Sequence, residues 1–240
     1  MIKKLLAVSI GIILGVGGVA SANGDKAVKF TLRVENISQP DAFAASNGAK
    51  WSLAFSPGAA VVHTDKAPIF SEGKRDRGKG LEAQSEDGNP AMLAKSLKGT
   101  KGIRSVKVFN KPIGAAGPGP ITPGAAYETT ISTMPGDRLS VTLMMGQSND
   151  WFYAPPESGI ELFENGQPIS GDITSQLVMW DAGTEINQEP GIGSEQGPRQ
   201  KMPNAGKAEN GVVRKIHDGK AYSTPSSVLR LTISPAMPAM

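Results

Sequence analysis

Two stretches, "RLSVTLMMGQSNDWF" at 138–152 and "MWDAGTE" at 179–185, decide which fold this sequence predicts. The first begins with β-forming residues and then becomes polar, which predicts a strand over 138–145 that runs into a loop. The second stretch begins at the end of another predicted strand, 175–180. Each stretch puts an aspartate beside a tryptophan, and the chain has only three tryptophans. The sequence therefore predicts two β-strands that lead into similar acidic and aromatic loops.

Short β-type runs recur along the whole chain, between turns rich in glycine and proline. The predicted strands are 28–37, 103–109, 126–133, 138–145, 159–166, 175–180 and 227–234. Six or more such runs are typical of an antiparallel β-sandwich, so we expect an all-β protein with one or two short helices in loops. One helix is predicted over 89–99, where Asn89 can cap it and Gly99 can end it. The stretch 187–210 is predicted to be a long loop.

The first 22 residues are predicted to be a secretory signal peptide. Two lysines give a positive start, an apolar run covers 5–19, and 20–22 is a small-residue cleavage site. The apolar run is short for a membrane span, and no later segment is apolar enough to cross a bilayer. We therefore expect a secreted or periplasmic protein with a single domain over 23–240 and no transmembrane segment after signal removal.

Charge and cysteine content exclude several classes of function. Without the signal peptide the chain has 23 basic and 22 acidic residues, so its net charge is only +1. Nucleic acid is therefore not an expected partner. The chain has no cysteine, which excludes disulfides, cysteine-zinc sites and thiol catalysis. Its stability has to come from its core or from a bound ion.

Three acids in the opening stretches are candidate metal ligands: Asp150, Asp181 and Glu185. The predicted strands 159–164 and 175–180 return the chain to the end of the sheet near Asp150, so Asp181 should lie close to it. The small residues of "DAGT" can fold Glu185 back beside Asp181. Three clustered carboxylates repel one another unless a hard cation such as calcium binds between them. The alternative is that each acid only caps a turn or meets solvent.

The paired motifs resemble those of the spondin amino-terminal domain family, which includes F-spondin, mindin and many short bacterial secreted proteins. The resemblance is carried by "LMMGQSNDWF" at 143–152 and "MWDAGTE" at 179–185. Further similar segments are "VKFTLRVENIS", "LAFSPGAAVVHTD", "GLEAQSEDGNP", "VVRKI" and "SVLRLTIS", so that it extends from about 28 to 234.

The resemblance implies a β-sandwich similar to the calcium-type C-two fold, with calcium (Ca²⁺) bound by Asp150, Asp181 and Glu185. Two features depart from the animal members of the family. Glu185 stands where those proteins have aspartate, and this chain lacks their cysteines. The implied function is a calcium-binding adhesion or recognition module without catalytic activity, whose partner is an unknown cell-surface or matrix component, either protein or glycan.

Two other functions stay open at this point. One is a secreted hydrolase of glycans or esters that uses Asp181 and Glu185 as an acid and base pair. The short turn between these residues argues against it, because they would share one ion rather than flank a substrate bond. The other is a purely structural domain that calcium only stiffens. His63 is interpreted as a structural histidine, since no nucleophile-elbow or HExxH pattern accompanies it.

Overall fold

The protein is an antiparallel β-sandwich in a computed structural model that describes residues 27–64 and 67–236. The predicted signal peptide lies outside these residues. The strands are β1 (Val28–Asn36), β2 (Phe43–Ala44), β3 (Lys50–Trp51), β4 (Phe55–His63), β5 (Ile103–Phe109), β6 (Ala126–Thr133), β7 (Arg138–Met145), β8 (Trp151–Ala154), β9 (Ile160–Glu161), β10 (Phe163–Glu164), β11 (Gln167–Pro168), β12 (Gly171–Asp172), β13 (Val178–Asp181), β14 (Arg214–Lys215) and β15 (Leu229–Pro235). The all-β prediction is confirmed.

Short helices fill the connections between strands. The α-helices are α1 (Leu81–Glu86), α2 (Ala91–Leu97) and α3 (Pro225–Val228), and 3-10 turns cover Thr174–Gln176 and Ala221–Ser223. The predicted helix 89–99 corresponds to α2. Asn89 Oδ1 accepts the amide hydrogen of Ala91 at 3.0 Å, which satisfies one free donor of the first turn.

Two larger sheets form the sandwich. The first has the strand order β12-β15-β1-β6, and the second has the order β14-β13-β8-β7-β4-β5, with β9 also against β7. In β1, Phe30, Leu32 and Val34 alternate with more exposed residues and face the core. This alternation is the expected pattern for a strand with one face in the core.

The second sheet is covered on both faces, which explains why β7 is buried along nearly its whole length. One face packs against the first sheet through residues such as Leu143 and Tyr153. The other face packs under α1 and α2, where Phe152 and Trp180 contact a second apolar cluster. Successive residues of β8 therefore enter opposite cores, as the period of a β-strand requires.

Two central strands were not predicted from the sequence. β4 contains Pro57 and Gly58, which favour turns, and the structure places them at a shift of register between Phe55 and Gly58. β8 begins at Trp151, directly after the predicted loop. The predicted strand 159–166 is instead divided into the short strands β9 and β10.

Among the described residues, no helix is long and apolar enough to span a membrane.

Candidate metal centre

Asp150 and Asp181 are neighbours at one end of the second sheet, as the sequence predicts. The connection differs from the predicted one. β8 itself pairs with β13, and Trp151 lies opposite Asp181 in this register. Asp150 directly precedes β8 and Asp181 ends β13, so adjacent strand termini bring the two carboxylates together.

Three acids converge at this end of the sheet: Asp150, Asp181 and Glu209. Each offers a carboxylate oxygen, and these oxygens all lie within 4.8 Å of one another. Asp150 and Asp181 are buried, and Glu209 is half-buried. Oxygen ligands at this spacing could hold a metal ion.

Asp150 is fully buried and has one free carboxylate oxygen. Its Oδ2 accepts hydrogen bonds from the backbone amides of Thr184 at 2.8 Å and Glu185 at 3.2 Å, and from the Thr184 hydroxyl at 3.2 Å. Its Oδ1 is buried without a hydrogen-bond partner. Burial raises the pKa of Asp150 to about 7, and the charge of Asp181 adds to this effect. A bound cation would offset both effects, because it favours the ionised carboxylate.

Asp181 is held by several donors. Its Oδ1 accepts the amide hydrogen of Gly183, and its Oδ2 accepts hydrogen bonds from Asn187 at 2.7 Å and from the indole of Trp151 at 3.3 Å. Arg214, which lies opposite Asp181 in the pairing of β13 with β14, also donates to Oδ2 at 2.7 Å. The pKa of Asp181 is still raised, because the effect of burial is larger than the opposing effect of these donors.

Arg214 joins two of the three acids. Its guanidinium donates to Asp181 at 2.7 Å and to Glu209 at 2.8 Å. With all three acids ionised, one guanidinium leaves the group with two uncompensated negative charges, and the unpaired oxygen is on Asp150. This charge suits a single divalent cation.

Glu185 is buried but is not a member of this group. Its Oε1 accepts a hydrogen bond from Asn149 at 2.7 Å, and its Oε2 is buried without a partner. The backbone of Gly206 packs against its carboxylate, since a Cβ on Gly206 would lie 1.5 Å from Oε1. The turn "DAGT" therefore brings the backbone amide of Glu185 to Asp150, while its side chain lies against the loop 187–210.

Sequence reasoning missed Glu209 because nothing local marks it as a ligand. It lies at the end of the predicted loop 187–210, which has no helix or strand in the structure. The loop returns over the sheet end, where Glu185 bridges to Ala208. Only the pairing of Arg214 with Asp181 would have indicated that Glu209, five residues before Arg214, lies at the site.

The two tryptophans have different roles at this end of the sheet. Trp180 is fully buried in the cluster under the helices, where it contacts Phe70 and donates its indole hydrogen to Ala154 O at 3.0 Å. Trp151 faces the other core and donates to Asp181. Only Trp151 therefore holds an acid of the group directly.

His63 is fully buried at the end of β4, and its Nε2 lies 2.9 Å from the Ser140 hydroxyl. This geometry agrees with the interpretation of His63 as a structural residue.

A fourth buried acid, Glu86, lies behind the group at the end of α1. It is 2% exposed, and its Oε2 has no hydrogen-bond partner. Burial raises the pKa of Glu86 from 4.5 to about 8, partly opposed by a hydrogen bond from Thr184 and reinforced by the charges of Glu82, Glu185 and Asp150. The folded protein therefore binds a proton at Glu86 that the unfolded chain releases near its ordinary pKa.

We expect Glu86 to make the cation-free protein less stable as the pH rises. The neutral side chain contributes its full stability below about pH 4.5, and this contribution is lost between about pH 4.5 and 8. Glu86→Gln cannot ionise, so its advantage over the wild type should grow across this range, on the order of 3 kcal/mol. Urea unfolding at pH 5, 6.5 and 8 with a chelator measures the difference. A constant difference would contradict the prediction.

A scan of the sequence against protein-family models finds no match, and a search of curated proteins finds no relative. The resemblance to the spondin family stays a prediction from the motifs.

Proposed function

We propose that this protein is an exported, calcium-binding recognition module of the spondin type, without catalytic activity, that binds a cell-surface or matrix component. The observation that supports this proposal most is the free Oδ1 of Asp150. It is a fully buried carboxylate oxygen without a protein donor, beside two further acids. An unpaired buried acid is costly, and a metal ion at this position would remove the cost.

Calcium suits this group better than magnesium. The acids come from the start of β8, the end of β13 and the loop before β14, so no single rigid element holds them all. Carbonyl oxygens or water have to complete the coordination shell. Calcium tolerates such irregular shells, whereas magnesium requires a tight octahedron. We expect a dissociation constant of about 10⁻⁴ to 10⁻³ M, as in other extracellular modules.

The ligand set can be tested by comparing two glutamates. The spondin resemblance implies Glu185 as a ligand, and the acid group contains Glu209 instead. We expect Glu209→Gln to weaken calcium binding by about tenfold, because a charged ligand becomes neutral. Glu185→Gln should weaken it less, since Asn149 already occupies one of its oxygens. Calorimetric titration with calcium measures both variants, and Glu164→Gln, an exposed acid on β10, controls for the change in net charge.

The variant with the larger loss of calcium affinity identifies the third ligand. A larger loss for Glu185→Gln would show that the side chain turns towards Asp150 when the ion binds, and the ligand set implied by the resemblance would then hold. No loss in either variant would reject both proposed third ligands.

The hydrolase and structural alternatives give different results in a calcium titration. A recognition module should show a calcium-dependent rise in melting temperature, no turnover on a panel of glycans and esters, and calcium-dependent retention on cell-surface extract. A hydrolase would show turnover that Asp181→Asn removes. A purely structural domain would show the rise in melting temperature without retention on the extract.

A further inference from the structure

An acidic cleft lies beside the metal centre, between α1, the start of α2 and the loop 72–80. Its volume is about 190 Å³. Four carboxylates line it, and no lysine or arginine does. These acids are Asp76, Glu82, Glu86 and Asp87.

Two of these acids carry free, buried oxygens. Glu86 is 2% exposed, and neither its Oε2 nor the buried Oδ1 of Asp76 has a hydrogen-bond partner. The other oxygen of Asp76 accepts the amide hydrogen of Gly78 at 3.1 Å, which fixes this carboxylate at the cleft wall. A buried acceptor without a donor from the chain needs one from outside it, such as water, an ion or a ligand.

The spacing of these acids does not suit a metal ion. Over residues 27–64 and 67–236, the only set of three acids or histidines with ligand atoms within 4.8 Å is Asp150, Asp181 and Glu209. The carboxylates of the cleft are therefore too dispersed for three of them to coordinate one ion. An organic cation, which donates several hydrogen bonds in different directions, fits dispersed acceptors better.

The remaining wall of the cleft consists of Asn204, two glycines and two apolar side chains. Met92, which is 52% exposed, and Ala83 lie beside the carboxylates. The volume is smaller than the pockets that take drug-sized ligands, so it suits a group the size of one side chain. An ammonium group on a short alkyl chain would match both the acids and the apolar side chains.

The basic residues of the loop 72–80 do not fill the cleft. Arg77 donates to Ala67 O at 2.7 Å and to the Ser71 hydroxyl at 2.6 Å, and it does not line the cleft. Arg75 lines the adjoining cleft, and Lys74 and Lys79 are exposed.

We propose that this cleft binds a primary alkylammonium group, either of a free polyamine or of a lysine side chain on a partner protein. The three ammonium hydrogens are donated to Glu86, Asp76 and Glu82, and the alkyl chain contacts Met92 and Ala83. This site shares no acid with the proposed calcium site, and Thr184 contacts both Glu86 and Asp150.

The test uses the full mature protein saturated with calcium at low ionic strength. Putrescine represents the free polyamine. A short peptide with an acetylated amino terminus and one unmodified lysine represents the protein side chain. The same peptide with norleucine in place of lysine lacks the ammonium group. NMR titration should show saturable shifts of the Gly78, Gly80 and Ala83 amides with putrescine, the lysine peptide or both, and none with norleucine. The tighter of the two amines identifies the source of the ligand.

Matched variants assign the site. We expect Glu82→Gln to weaken amine binding by about tenfold, since it removes a charged hydrogen bond. Glu86→Gln should weaken it by a similar factor above about pH 8, where the Glu86 side chain is ionised. Glu164→Gln, with the same loss of charge on the distant strand β10, should leave it unchanged. Saturation by neither amine, equal binding of the norleucine peptide, or equal losses in all three variants would overturn the proposal. Glu82 is only half-buried, so its variant should still fold if Glu86→Gln does not.

Discussion

Asp150→Asn is expected to abolish the response of the protein to calcium while leaving the cation-free fold at least as stable as the wild type. The two effects have separate causes. The asparagine oxygen can still accept the amide hydrogens of Thr184 and Glu185, so the local turn is kept. The change removes the buried negative charge, which burial and the charge of Asp181 already disfavour.

The expected loss of calcium affinity is large. Asp150 is fully buried and carries the free oxygen of the group, so its charge is poorly replaced by water. Removing one member of a buried charged contact typically weakens binding by about a hundredfold or more. Thermal unfolding with and without calcium measures both effects in the same samples. The wild type should gain melting temperature on addition of calcium, and the variant should not.

Asp41→Asn is the matched control for this experiment. Asp41 is exposed and has a φ of 50°, a conformation that asparagine also tolerates. Its calcium response should equal that of the wild type. An Asp150→Asn variant that keeps the full calcium response would rule out the proposed metal site. A variant that is strongly destabilised without calcium would show that Asp150 is a structural anchor of the turn.

The parts of the site that local sequence specifies were predictable. Alternating apolar residues identify β1, and the acid next to each tryptophan identifies Asp150 and Asp181. Glu209 and Glu86 are different, because each reaches the site through packing between distant segments. Glu86 ends a helix of only six residues, α1, and Glu209 follows a loop without regular structure. No periodicity or spacing could have placed either one beside Asp150.

The strand β4 shows the same limit for the fold. Proline and glycine normally weaken a central strand, so the sequence "FSPGAAVVH" does not predict a central strand. In the structure β4 is central and pairs with both β5 and β7. Gly58 lies opposite Phe109 on one side and Leu143 on the other. The glycine is required by close packing that only the folded sheet reveals.

Gly58→Ala is therefore expected to be among the most destabilising single substitutions in the protein. A Cβ at this position would lie 2.1 Å from the backbone oxygen of Thr142 and 2.6 Å from the ring of Phe109. Because Thr142 O belongs to the neighbouring strand β7, it cannot move without separating β4 from β7. We expect a loss of about 3 kcal/mol in the free energy of unfolding, at the upper end for overpacking. Urea unfolding followed by tryptophan fluorescence measures it.

A control variant and a double variant accompany this test, and the double variant separates the clash with the backbone from the clash with the ring. Gly117→Ala is the matched control, since a Cβ there meets no atom within 4 Å, and it should change stability by less than about 0.5 kcal/mol. Phe109→Leu combined with Gly58→Ala relieves only the contact with the ring. The double variant should therefore recover little of the loss, because the carbonyl of Thr142 still blocks the added methyl group. Full recovery would show that the ring, and not the β4–β7 pairing, requires glycine at position 58.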